Sequence, residues 1–155
     1  MNYLDTSALI KRFVSEKGSP VILALIKRNE PIATAKIAYA EIYAGLARKL
    51  REGGLSNAHY TLACRQFESD WNAYLRIELQ DAILLRARDL IKRHPLRGFD
   101  AVHLASALNL KEILGEEMTF VAADERLLRA ARAEHLRILH PETDPIPPRD
   151  KEKAD

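Results

Sequence analysis

The run M-T-F-V-A-A-D-E-R-L-L, from Met118 to Leu128, reads as a strand, a cap and a helix in succession. Met118 to Ala122 is apolar and rich in strand formers. Asp124 is of the type that favours helix N-caps. Leu127, Leu128 and Ala131 then recur at helical spacing. The amino terminus repeats the pattern. Met1 to Leu4 is a short apolar start, Asp5-Thr6-Ser7 supply good caps, and Ala8, Leu9, Ile10 and Phe13 continue as a helix. A strand that leads into a helix before the next strand is how parallel strands are joined.

Outward from these two units the same alternation continues. Gly18-Ser19-Pro20 stops the first helix and starts another through Val21, Ile22, Leu25 and Ile26. Ile32-Ala33-Thr34 is a short buried strand. The pattern predicts a long helix over Ala35 to Arg51, with Ile37, Ala38, Glu41, Ala44 and Leu46 or Ala47 along one side, ended by Gly53-Gly54. Ser56 opens a helix striped with Tyr60, Ala63, Phe67, Trp71 and Tyr74. Leu75 to Leu79 alternates as a strand. Asp81 to His94 is helical, with Ile83, Leu84, Ala87, Leu90 and Ile91 inward, and Pro95 closes it. Gly98 ends that element. The run R-G-F-D-A-V-H-L-A-S-A-L-N-L, from Arg97 to Leu110, is then a buried or half-buried helix that ends near Gly115 and carries Asp100 in its first turn. Leu136 to Leu139 is the last strand. The fold class is therefore α/β, a three-layer α/β/α sandwich around a mainly parallel sheet of about five short strands. Residues 1–140 form one domain. Pro141, Pro145, Pro147 and Pro148 lie among charges in 141–155, which reads as a mobile tail.

The totals narrow the function classes. The chain has 155 residues, which suits one domain with a sizeable core. A net charge of +2 neither demands nor excludes a nucleic-acid partner. Cys64 is the only cysteine, so no internal disulfide forms and a cytoplasmic location is expected. Asp5 lies too early for the apolar core of a signal peptide. Pro31 to Ala47 is the most apolar region, and Lys36 and Glu41 interrupt it, so no span crosses a membrane. No G-x-x-x-x-G-K or G-x-G-x-x-G occurs, which argues against nucleotide-binding enzymes.

Four acids remain as a constellation. Asp5 and Asp124 fall where a strand ends and a helix begins, on one edge of a parallel sheet, where such folds bind ligands. Taken singly, Asp5, Asp100 and Asp124 are each accounted for as caps, and a cap still leaves one carboxylate oxygen free. Glu41 reads as a mid-helix acid among Ala38, Ala40, Ile42, Ala44 and Gly45. It must be hydrogen-bonded, paired in a salt bridge to Lys36, Arg48 or a distant arginine, or bound to a cation. Four carboxylates together repel one another, and a divalent cation removes that penalty. Oxygen-only ligands select Mg²⁺ or Mn²⁺. Such a centre is what phosphodiester hydrolysis needs.

The pattern D-T-S-A-L at Asp5, A-E-I-Y-A-G-L around Glu41, G-F-D-A-V-H-L-A-S-A-L around Asp100 and F-V-A-A-D-E-R-L-L-R-A-A around Asp124 resembles the PIN-domain family. It is most similar to the small VapC-type toxins of toxin–antitoxin pairs, from Asn2 to about Leu139. The resemblance implies a Mg²⁺-dependent endoribonuclease, with Mn²⁺ substituting, in which Asp5, Glu41, Asp100 and Asp124 bind metal. It also implies an RNA substrate, a small VapB-like antitoxin partner and a homodimer. The family commonly has Thr or Ser two residues before its last acid, and this chain has Ala122. Thr6 and Ser7 are candidates for hydroxyls beside Asp5, and equally for helix-start residues.

Among the basic residues, Arg48 and Arg97 stand nearest the acids in sequence and are the better candidate phosphate contacts. Lys11, Arg12, Lys49, Arg51, Arg86, Arg88, Lys92 and Arg93 read chiefly as solvated faces. His103 reads as a hydrogen-bonded helix histidine. Tyr60, Phe67 and Trp71 favour core or an interface over base stacking. Two rival readings are a Mg²⁺-binding receiver-like module, which lacks an acidic pair near Asp5, and a catalytically weak PIN-like interaction domain. A structure-specific DNA nuclease would need a helical arch that is not evident.

Overall fold

A computed structural model of the chain describes residues 1–146 and 148. The elements are β1 (Asn2–Leu4), α1 (Thr6–Leu9), α2 (Ser19–Lys27), β2 (Ile32–Ala35), α3 (Ala38–Arg51), α4 (Asn57–Trp71), β3 (Leu75–Ile77), α5 (Asp81–Arg93), α6 (Gly98–Leu114), β4 (Thr119–Val121), α7 (Glu125–Ala133) and β5 (Arg137–Leu139). A single 3-10 turn, Ile10–Arg12, extends α1.

All four strand pairings are parallel, and the order across the sheet is β3-β2-β1-β4-β5. β1 lies at the centre. Tyr3 sits opposite Ala33 on one side and Phe120 on the other. Alternation along β1 sends Tyr3 and Leu4 to opposite faces. Tyr3 and Phe120 join a core with α5, α6 and α7. Leu4 and Val121 join a second core with α1 to α4. Two cores separated by one sheet make the α/β/α sandwich.

Caps start the helices where the sequence supplies them. Asp5 accepts a hydrogen bond from Ala8 N, Ser56 from His59 N, and Asp124 from Arg126 N and Leu127 N. α6 ends at Gly115, whose φ of 64° is left-handed. That conformation is open to glycine at little cost.

Several sequence expectations are corrected. Ala35 belongs to β2, and the third helix begins only at Ala38 because Lys36 and Ile37 form the turn off the strand. Glu41 is consequently in the first turn of α3 rather than mid-helix. Ile42 and Gly45, not Glu41 and Ala44, fall on its buried side. Gly98 opens α6 instead of closing what precedes it. Leu84 and Ile91 are exposed, since Ile83, Ala87 and Leu90 already fill the face of α5 that meets the core. The strand expected over Leu75 to Leu79 ends at Ile77, so Leu75 is exposed on an edge strand and Leu79 is exposed beyond its end.

Residues 141–144 contact the rest of the chain. Pro141 is buried. Glu142 accepts from Lys11 Nζ at 2.6 Å, and Lys11 also pairs with Glu16 at 3.0 Å. Asp144 accepts from His140 N at 2.7 Å. Of the tail expected to be mobile over 141–155, residues 147 and 149–155 lie outside the described residues. Among the described residues no helix is long and apolar enough to cross a membrane.

Candidate active site

Because every strand is parallel, their carboxyl ends share one edge. β1 delivers Asp5 there and β4 delivers Asp124. β2 leads through a two-residue turn to Glu41 in the first turn of α3, and α6 brings Asp100 in its own first turn. All four carboxylates line a single cavity of about 690 Å³, together with Thr6, Ser7, Arg48, Arg97, Phe99 and His103. Each lies within a helix start, where the macrodipole favours negative charge.

The four acids are held differently. Asp5 is 5% exposed. Its Oδ1 accepts from Ser7 Oγ at 2.7 Å and from Ala8 N at 3.1 Å. Burial raises its pKa above the ordinary carboxylate value, although His103 and these hydrogen bonds oppose the rise. Ser7 Oγ also accepts from Ala123 N at 2.8 Å. Ser7 thus ties the Asp5 carboxylate to the backbone that leads from β4 to Asp124.

Glu41 is engaged through one oxygen. Its Oε2 accepts from Thr6 Oγ1 at 2.5 Å and pairs with His103 Nε2 at 2.7 Å. Its Oε1 takes no hydrogen bond from the described residues. Burial alone would raise the Glu41 pKa, but the hydrogen bond and charge of His103, aided by Thr6, bring it below the ordinary value. His103 is itself buried, and its Nδ1 meets the Tyr3 hydroxyl at 3.1 Å. The partner of Glu41 is therefore His103. Lys36 pairs instead with Glu78, and Arg48 makes no ion pair with Glu41.

Arg97 joins the remaining two acids. Its Nε lies 3.2 Å from Asp100 Oδ2 and its Nη2 3.4 Å from Asp124 Oδ2. Asp100 Oδ2 also accepts from Arg97 N at 3.3 Å, which pins the first turn of α6. Asp124 spends Oδ1 on its cap, accepting from Arg126 N at 2.9 Å and Leu127 N at 3.0 Å.

Among the described residues no three His, Cys, Asp or Glu side chains form a ready-made metal cluster. In the arrangement seen, the Arg97 guanidinium is the cation between Asp100 and Asp124. The donors nonetheless suit a hard divalent ion. They are all oxygen, and Glu41 Oε1 and Asp100 Oδ1 take no hydrogen bond from the described residues. Arg97 is 70% exposed and free to withdraw.

A family model for the PIN domain matches residues 3–133. The chain belongs to the PIN-domain family. Ribonuclease VapC49 of Mycobacterium tuberculosis is 35% identical over 144 residues, covering 92% of this chain and 97% of the relative. Ribonuclease VapC47 of the same species is 29% identical over 136 residues, covering 85% and 90%. FitAcB from Neisseria gonorrhoeae superposes with a TM-score of 0.64 at 14% identity, over 92% of this chain and 99% of that one. A toxin–antitoxin complex from Klebsiella pneumoniae gives 0.61 at 18% identity, over 91% and 98%. These superpositions show the PIN fold.

In this PIN domain most of the other candidate phosphate contacts are engaged elsewhere. Lys11 and Lys49 pair with Glu16, Arg12 with Asp70, Arg86 with Glu112, Arg88 with Asp89 and Arg93 with Glu134. Only Arg48 and Arg97 of the set line the acid cavity. Tyr60 packs on the α1–α4 core, while Phe67 and Trp71 pack tilted against each other and against Tyr39. The link from Tyr3 through His103 to Glu41 was not legible beforehand. Its one signal is the placing of His103 one turn after Asp100, which aims it at the same edge.

Proposed function

We propose that the chain is an endoribonuclease that hydrolyses RNA phosphodiesters with Mg²⁺, or Mn²⁺ in its place. Asp5, Glu41 and Asp100 hold the principal ion and Asp124 assists or holds a second. The observation that carries this reading is the meeting of all four acids in one cavity at the carboxyl edge of the sheet. The ribonuclease names of its relatives support it. When bound, the ion polarises the phosphate and lowers the pKa of the attacking water.

The chain's own residues do the rest. Thr6 and His103 fix Glu41, and Ser7 fixes Asp5. Arg97 neutralises Asp100 and Asp124 until it swings out, and with Arg48 it then offers cations to the RNA backbone. By the same likeness, the chain is a cytoplasmic toxin, forms a homodimer and is restrained by a small VapB-like antitoxin.

The test is incubation of the purified protein with total RNA in Mn²⁺ or in EDTA, beside Asp100→Asn. Cleavage is expected with Mn²⁺ only, and lost in the variant while its circular dichroism is kept. An Asp100→Asn protein that cleaves at the wild-type rate would refute the assignment.

A further inference from the structure

We propose that Phe99 is a stacking platform for an unpaired nucleobase beside the scissile phosphate. The inference rests on the ribonuclease reading above.

Phe99 is 60% exposed and packs in neither core. Among the described residues it is the only Phe, Tyr or Trp lining the acid cavity. Other rings pack among themselves, Tyr3 stacked on Phe120 and Phe67 edge-on or tilted against Phe13, Tyr39, Tyr43 and Trp71.

A platform needs a fixed root and an open face. The root is fixed because Asp100, the next residue, is hydrogen-bonded to Arg97 N. The surroundings are open, since a Cβ placed on Gly98 would meet no atom within 4 Å. Between Glu41 and Arg48, α3 lines the same cavity with the small residues Ala44 and Gly45. Room for a flat ring therefore lies next to the acids that would cut the backbone.

Any base offers a π face, so such a contact adds affinity with little sequence preference. A base can reach Phe99 only after leaving its own stack, which costs a few kcal/mol in a duplex and least in a single strand. An apolar side chain of a protein partner is the competing occupant. Arg48 and Arg97 beside the acids favour a polyanion.

The experiment measures steady-state cleavage of short single-stranded RNA in Mn²⁺ by the full chain, Phe99→Ala, Phe99→Leu and Phe99→Trp. Each is assayed on an intact oligonucleotide, on the same oligonucleotide with one abasic riboside walked along it, and on its duplex. Phe99→Ala is expected to raise KM about 10-fold, within the roughly 5- to 150-fold that a stacked base is worth, with kcat nearly unchanged. Phe99→Trp keeps the wild-type KM and Phe99→Leu does not. One abasic position raises the wild-type KM by the same factor and leaves Phe99→Ala unaffected, and the duplex is the poorer substrate. Equal KM for wild type and Phe99→Ala, additive effects of variant and abasic site, or a duplex cut as readily as the single strand would each overturn the proposal. So would a Phe99→Ala protein that loses only a protein partner. A wild-type protein that cuts no RNA overturns the ribonuclease reading as well, which separates the two failures.

Discussion

Asp5 and Asp124 are placed alike by local structure and very differently by their surroundings. Each closes a strand, each caps the next helix, and their strands β1 and β4 are hydrogen-bonded neighbours. Asp5 follows the central strand, between both cores, and is almost wholly buried. Asp124 is 23% exposed and faces the Arg97 guanidinium. The deep carboxylate is held by neutral donors and has a raised pKa, while the rim carboxylate already has a counter-charge. The same dipeptide-scale device thus gives a site one position that lacks a cation and another that has one.

Rates sharpen that contrast most. Asp5→Asn is expected to lower RNA cleavage in Mn²⁺ about 10³-fold, close to 4 kcal/mol in barrier. Asp124→Asn lowers it about 10- to 100-fold, the range for groups that support a metal without being its principal ligand. Equal losses in single-turnover assays would erase the distinction between the two acids.

Stability gives a second, smaller measure, with the opposite sign. A carboxyl whose folded pKa is raised favours folding when protonated, and that contribution is lost as pH rises through the folded value. At pH 7 in EDTA the buried Asp5 charge therefore works against the fold. Asn keeps the Oδ1 cap without the charge, so Asp5→Asn should raise Tm by about 2–4 °C, the shift for about 1 kcal/mol in a chain this long. The gain should vanish as pH falls and Asp5 takes up a proton. Asp124→Asn should show no such gain. A lower Tm for Asp5→Asn by calorimetry at pH 7 would contradict the burial argument.

The smallest effect belongs to Arg97→Ala. Exposed ion pairs contribute about 0–1 kcal/mol, so its Tm in EDTA should barely move. The variant should nonetheless reach half-maximal thermal stabilisation at a lower Mn²⁺ concentration, because no guanidinium competes for Asp100 and Asp124. An unchanged Mn²⁺ midpoint would show that Arg97 does not occupy the cation position.

Much of this was legible in the chain because it depends on local chemistry. Asp5, Ser56 and Asp124 cap, Gly115 terminates, and short apolar runs between helices impose a parallel sheet. Whatever depends on distant partners was less accessible. Glu41 reads as mid-helix because Ala35 continues the helical apolar pattern, whereas pairing with β3 draws Ala35 into β2. Its partner is one of five histidines rather than one of many lysines and arginines, and only the α6 register decides that. Leu84 and Ile91 fit a helical stripe as well as Ile83 does, and the sequence alone does not say how wide a face the sheet will cover.

The Lys11 ammonium is 5% exposed and has two carboxylates, one of which, Glu142, comes from the segment after β5. Burial of that ammonium is tolerable only with its counter-ions in place. Glu16 is shared in turn with Lys49 on α3, so the far end of the chain is laced to the helix that carries Glu41. An expression clone trimmed after residue 140 would lose that lacing, and an affinity tag belongs beyond 146.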